Sequence, residues 1–225
     1  MEALKRCFII ANGPSQNNVD LSLLKDETTF GMNDIRLRFP HFYPTYWVIV
    51  DGGYWESRHE AIYADNHPCT IVSHKHAPPD DPRGFLIKFD GGDDSVRCGD
   101  IRFLTEPNTV WFTGLVSYTC MQVAWQLGYR ELNLIGFDSL NTTMKGEGHF
   151  DDRYGTDYPF KRPKPPDWVE KKIQTLGIPP DHTERVYKYA IKFIHDNGGQ
   201  IWDVSDGKTN IFPKRSIDEA LLYNR

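Results

Sequence analysis

The chain has 225 residues, 39% hydrophobic, 25% charged and 13% aromatic, a composition that can bury a core and that excludes a wholly disordered protein. Its 26 Lys+Arg against 31 Asp+Glu leave a formal net charge of -5, which is not the basic surface of a general nucleic-acid binder. No run approaches the roughly 20 apolar residues of a membrane span, and Cys7, Cys69, Cys98 and Cys120 form no CxxC pair, so neither a zinc ribbon nor a disulfide framework is expected. These features lead us to expect a cytoplasmic protein with one domain over residues 1–225, carrying an insertion.

Cys7-Phe8-Ile9-Ile10-Ala11 is short, apolar and partly β-branched, which predicts a central parallel strand running into the loop Asn12-Gly13-Pro14-Ser15. Further strands are predicted over 28–31, ahead of Met32-Asn33-Asp34, over 46–50, ending at Asp51-Gly52-Gly53, and over 70–72. Pro, Gly and Asp clusters between 78 and 106 suggest an irregular β-rich excursion. From Val116, the apolar set Val116, Cys120, Val123, Ala124 and Leu127 makes a helical stripe that Gly128 is placed to stop.

A strand over 132–135 then ends in Gly136-Phe137-Asp138. The stretch 139–180 holds Pro159, Pro163, Pro165, Pro166, Pro179 and Pro180 with little periodicity, and is expected to be a lid that orders over bound ligand. Asp181 and Glu184 have capping-box spacing before a helix over 182–196, whose stripe Val186, Tyr189, Ala190, Phe193 and Ile194 ends at Asn197-Gly198-Gly199. A last strand over 201–204 and a short amphipathic helix over 216–223 complete an α/β fold with a mainly parallel sheet.

Asn12-Gly13-Pro14-Ser15 is the first candidate site. Glycine lets the backbone approach a ligand, while nearby amides and the Ser15 hydroxyl can donate to phosphate. The loop is neither GxGxxG nor a Walker loop, and alone it reads equally well as an ordinary strand-to-helix turn. Asn33, Asp51 and Asp138 each follow a predicted strand, and the carboxyl ends of parallel strands converge on one crevice, although each residue singly fits an Asx-turn.

Among the histidines, His74-Lys75-His76 reads as a solvated loop, whereas His149, in Gly148-His149-Phe150-Asp151-Asp152, admits metal, phosphate or plain loop roles. His182 opens a helix just after the lid, where the dipole disfavours an imidazolium and leaves a neutral base. Asp93-Asp94 and Asp151-Asp152 read as surface charge, with Asp51 the better carboxylate for a metal; no metal site is assigned.

Four segments, taken together, resemble a known group: Phe8-Ile-Ile-Ala-Asn-Gly-Pro-Ser, Phe30-Gly-Met-Asn33, Thr113-Gly114 leading to Leu127-Gly128-Tyr129, and Leu134-Ile-Gly-Phe-Asp138. Their order over nearly the whole chain is similar to the bacterial lipooligosaccharide sialyltransferases and a related group that contains motility accessory factors and 6-hydroxymethylpterin pyrophosphokinases. The resemblance implies a Rossmann-like three-layer α/β/α fold with a lid, a CMP-sialic acid donor, and inverting transfer to a glycan acceptor with no required cofactor.

It further implies that Asn12, Gly13 and Ser15 line the nucleotide and phosphate region, that Asn33 contacts the nucleotide, and that Asp51 replaces an Asn of the sialyltransferases. Gly136 and Asp138 would reach the ribose or base, Thr113, Gly114 and Ser117 approximate the sugar loop, and His182 stands near the place of the catalytic base. There are departures: Val110-Trp111-Phe112 stand where an Arg is expected, and Leu140 stands near the place of a phosphate-binding Tyr, for which Tyr154 or Tyr158 would substitute.

The expected activity is therefore glycosyl transfer from a CMP-linked sialic or related nonulosonic acid. A magnesium-dependent pyrophosphokinase using ATP, with Asp51 and Asp138 near the phosphates, is the alternative, and a nucleotide-binding module without catalysis is a third reading. Oligomerisation is left open.

Overall fold

A computed structural model describes residues 4–64, 66–75, 81–92, 99–138, 149–151, 174, 177–179, 181–207 and 209–222. The first apolar run becomes β1 (Arg6–Ile10), followed by β2 (Thr29–Met32), β3 (Tyr46–Ile49), β4 (Thr70–Ser73) and β5 (Gly84–Leu86). β6 (Lys88–Asp90) and β7 (Thr109–Trp111) form a separate parallel pair, and β8 (Glu131–Ile135) and β9 (Gln200–Asp203) return to the main sheet. The helices are α1 (Gly52–Ala64), α2 (Val116–Gln126), α3 (His182–Asp196) and α4 (Ile217–Leu222).

The main sheet has seven strands in the order β5-β4-β3-β2-β1-β8-β9, and every neighbouring pair is parallel. Such a sheet must be covered on both faces, and the strands alternate accordingly. Cys7, Ile9, Val48, Val72, Leu132 and Leu134 point into one core cluster with residues of α2 and α3. Phe8, Ile10, Trp47, Ile49, Ile71 and Ile135 point into the other, with Tyr54, Trp55 and Ile62 of α1 and Ala220 of α4. The result is the three-layer α/β/α architecture.

The C-terminal ends of α2 and α3 follow sequence chemistry closely. Gly128, at φ +89°, stops α2: the Tyr129 N–H donates to the Ala124 carbonyl at 3.1 Å and that of Gly128 to Trp125 at 3.0 Å. Gly198, at φ +78°, repeats the arrangement after α3, with Gly199 N–H on the Ile194 carbonyl at 2.8 Å. Both are paired-bond caps that need a left-handed residue.

Some expectations shift. The glycines expected only to end the third strand instead open a thirteen-residue helix, Gly52–Ala64, that was not expected; the two glycines imitate a turn, and the buried Tyr54, Trp55 and Ile62 make no regular stripe. Asp181 sits at the N-cap of α3 but its side chain makes no capping hydrogen bond, while Glu184 pairs with Lys188 one turn on at 2.6 Å. The capping-box reading therefore fails. No helix among the described residues is long and apolar enough to cross a membrane.

Candidate functional site

Five predicted site residues stand at the ends of four adjacent strands. In the order β3-β2-β1-β8, the carboxyl ends lead to Asp51, Asn33, Asn12 and Gly136-Asp138. The chain builds outward from β1 to β5 and then returns to place β8 on the other side of β1, so the β1/β8 boundary is where strand order reverses. Ligand crevices of open α/β sheets form at such switch points.

The first loop is tightly tied to that boundary. The Gly13 N–H donates to the Gly136 carbonyl at 3.0 Å, and a Cβ at Gly13 would lie 2.2 Å from Asp138 Oδ2 and 2.4 Å from the Gly136 oxygen. Only glycine fits. Asp138 Oδ2 accepts both the backbone N–H and the hydroxyl of Ser15 at 2.8 Å. Ser205 extends the network: its hydroxyl lies 3.0 Å from that of Ser15, donates to buried Asp203 at 2.9 Å and accepts the Gly136 N–H at 3.0 Å. Lys214 in turn faces Asp203 at 3.3 Å. Asp138 and Ser15 thereby shape the loop at the β1/β8 boundary.

Next along the sheet edge, Asn12 is buried and its amide donates to the Met32 carbonyl at 3.1 Å. Asn33 holds φ +43°, a left-handed conformation that Asn tolerates better than most residues. Its carbonyl accepts the Trp47 indole N–H at 2.7 Å and the Tyr54 hydroxyl at 3.2 Å. The Asn33 side-chain oxygen is buried without a hydrogen-bond partner, an acceptor held ready at the carboxyl end of β2. Burial, and then the charge of Asp34, push the Tyr54 phenol up. Asp51 is exposed and caps α1, its Oδ1 accepting the Tyr54 N–H at 2.8 Å. Among the described residues no group of three or more His, Cys, Asp or Glu is placed to hold a metal.

The second wall comes from α2 and α3. A helix that feeds a parallel strand through a short turn runs antiparallel to it, so both helices start on the carboxyl side of the sheet. His182 is buried, and its Nε2 lies 2.8 Å from the Thr113 carbonyl. A carbonyl only accepts, so Nε2 carries a proton, and in the neutral imidazole Nδ1 is then the nitrogen with the lone pair. That Nδ1 is buried without a partner, as is the hydroxyl oxygen of Thr183 beside it. Gly114 is exposed at φ +75° with open space where a Cβ would point. Ser117 is buried and its hydroxyl pairs with that of Tyr187 at 2.8 Å, which places it at the contact between α2 and α3.

Of the lid candidates, Tyr154 and Tyr158, with most of 139–180, lie outside the described residues. His149 is half-buried; burial lowers its pKa, against a backbone contact with Asn12 and the charge of Asp34. It is followed by Phe150, whose N–H donates to the Asn12 carbonyl at 2.9 Å. Arg38, Gln16 and Asn17, which pack beside this segment, carry no local motif and were not singled out from sequence; their partners come from distant elements.

No protein-family model matches the chain, and no curated protein matches it by sequence. Its fold is similar to that of the sialyltransferase CstII from Campylobacter jejuni in complex with cytidine-5'-monophosphate: TM-score 0.51, 14% identity, covering 96% of this chain and 86% of that one. It is also similar to the monofunctional alpha-2,3-sialyltransferase Cst-I from Campylobacter jejuni, with TM-score 0.50 and 14% identity over 94% of this chain and 80% of the other. The chain has a sialyltransferase-like α/β/α fold.

Proposed function

We propose that this chain is a glycosyltransferase that moves a sialic or related nonulosonic acid from a CMP-linked donor to a glycan acceptor, with His182 as general base. The observation that carries the reading is the contact of His182 with Thr113, which fixes the imidazole and reserves Nδ1 as its proton acceptor. In the proposed step, the acceptor oxygen bonds to the anomeric carbon and its proton passes to Nδ1. The bond from that carbon to the phosphate oxygen breaks and CMP leaves. Asn12, Gly13 and Asn33 take the nucleotide side of the crevice, where the buried side-chain oxygen of Asn33 is an open acceptor.

The fold shared with CstII, whose structure is in complex with CMP, supports the donor class. Buried free thiols at Cys7, Cys69 and Cys120 fit action in the reducing cytoplasm. The reading requires no metal.

Calorimetry with CMP in the presence of a chelator tests it. CMP is expected to bind without metal, and at about 100 times its dissociation constant to stabilise the fold by about 2.7 kcal/mol. Binding of ATP that needs magnesium, with CMP inert, would transfer the assignment to phosphoryl-group chemistry.

A further inference from the structure

Arg38 links the first loop to the segment 149–151. Its Nε donates to Gln16 Oε1 at 2.7 Å and one Nη to Asn17 Oδ1. Gln16 is wholly buried, its own amide on the Ala11 carbonyl at 2.8 Å, so the guanidinium is referenced to the end of β1. The other face of the guanidinium stacks on the Phe150 ring, 4.5 Å from the centroid. Phe150 is buried, its N–H on Asn12 and its carbonyl accepting the Asn17 amide at 2.9 Å. Burial lowers the Arg38 pKa, and the charge of Asp151 works against that.

Phe150, between His149 and Asp151, is thus held on the first loop by its own backbone bonds to Asn12 and Asn17 and by one arginine that uses both its fork and its flat face. A lysine cannot reproduce that combination, because a point charge has neither the planar stack nor the paired donors. The seat carries His149 to the backbone of Asn12 and the field of Asp34, at the nucleotide side of the crevice.

We propose that Arg38 is a positioning residue that docks His149–Asp151 onto the Asn12–Asn17 loop and so completes the donor-binding wall. The docking stands on the contacts alone; its effect on donor binding rests on the CMP-donor reading.

Hydrogen exchange and CMP titration on Arg38→Ala and Arg38→Lys separate the two. In both variants the Phe150 amide is expected to exchange at least about tenfold faster, while the amides of Ile9 and Ile135 in the sheet keep their protection. The CMP dissociation constant should rise about tenfold, with the turnover number at saturating donor within about twofold of wild type. Unchanged Phe150 protection in Arg38→Ala, or full recovery in Arg38→Lys, would overturn the proposal. Should Arg38→Ala not fold, Phe150→Leu keeps the buried bulk and removes the ring, and must accelerate exchange at the same amide. A wild-type protein that binds no CMP counts against the donor reading, and the exchange result still decides the docking.

Discussion

One carboxylate oxygen of Asp138 accepts both the backbone N–H and the hydroxyl of Ser15, each at 2.8 Å, joining the turns after β8 and β1. A carboxylate with two donors on one oxygen fixes a loop more firmly than a capping turn does. Asp138→Ala should therefore destabilise the protein by about 1 to 3 kcal/mol, because two donors lose their acceptor. Urea unfolding measures this; a loss below about 0.5 kcal/mol, the scale of an ordinary surface change, would show that the loop is held by other contacts.

Gly13→Ala makes a complementary test from the other side of the same contact. The added methyl would stand 2.2 Å from Asp138 Oδ2 and 2.4 Å from the Gly136 oxygen, so the loop must move. A cost of about 1 to 3 kcal/mol is expected, together with loss of CMP binding by calorimetry. Retained stability and affinity would mean that the two turns can separate without consequence for the site.

His182→Gln retains an N–H donor for the Thr113 carbonyl and removes the basic nitrogen. Transfer should fall by about 10² to 10⁴ while CMP affinity changes little, since the base serves the acceptor. Single-turnover rates with excess enzyme isolate that step. Transfer within about threefold of wild type would move the base elsewhere, and His149 is the next residue to replace.

Acid sensitivity follows from two half-buried imidazoles. Burial holds His149, and likewise His74, below the ordinary value of 6.5. As the pH falls past that value the unfolded chain takes up protons that the folded chain does not, so stability present above about pH 6.5 is lost on acidification. Urea midpoints between pH 5 and pH 7 should decline toward the acid side, and His149→Gln should flatten the decline. A midpoint in His149→Gln with the wild-type slope would leave His149 without a part in it.

Whereas β5, β6 and β7 were read only as an irregular excursion or not at all, the buried strands of the main sheet were the most legible part of the sequence, because such a strand must be a short apolar run whatever its neighbours are. The same holds for α3, whose stripe and terminal glycines are local signals. α1 was missed because Gly52-Gly53 suggests a turn and its burial rests on Tyr54, Trp55 and Ile62 rather than on a periodic stripe. At the site, the strand-end positions of Asn12, Asn33, Asp51 and Asp138 were readable from pattern, yet their partners were not. Ser15 meets Asp138 across 123 residues of sequence, and Arg38 meets Phe150 only once β1 and the segment after β8 are side by side.

The separation of the two hydrophobic layers by one sheet has a spectroscopic use. Trp47 and Trp55 belong to the layer with α1 and α4, Trp202 packs against it, and Trp125 belongs to the layer with α2 and α3. Chains that retain only Trp47 or only Trp125 would emit from opposite sides of the sheet. Coincident fluorescence melts would identify a single cooperative unit, and separated melts would identify the layer that loosens first.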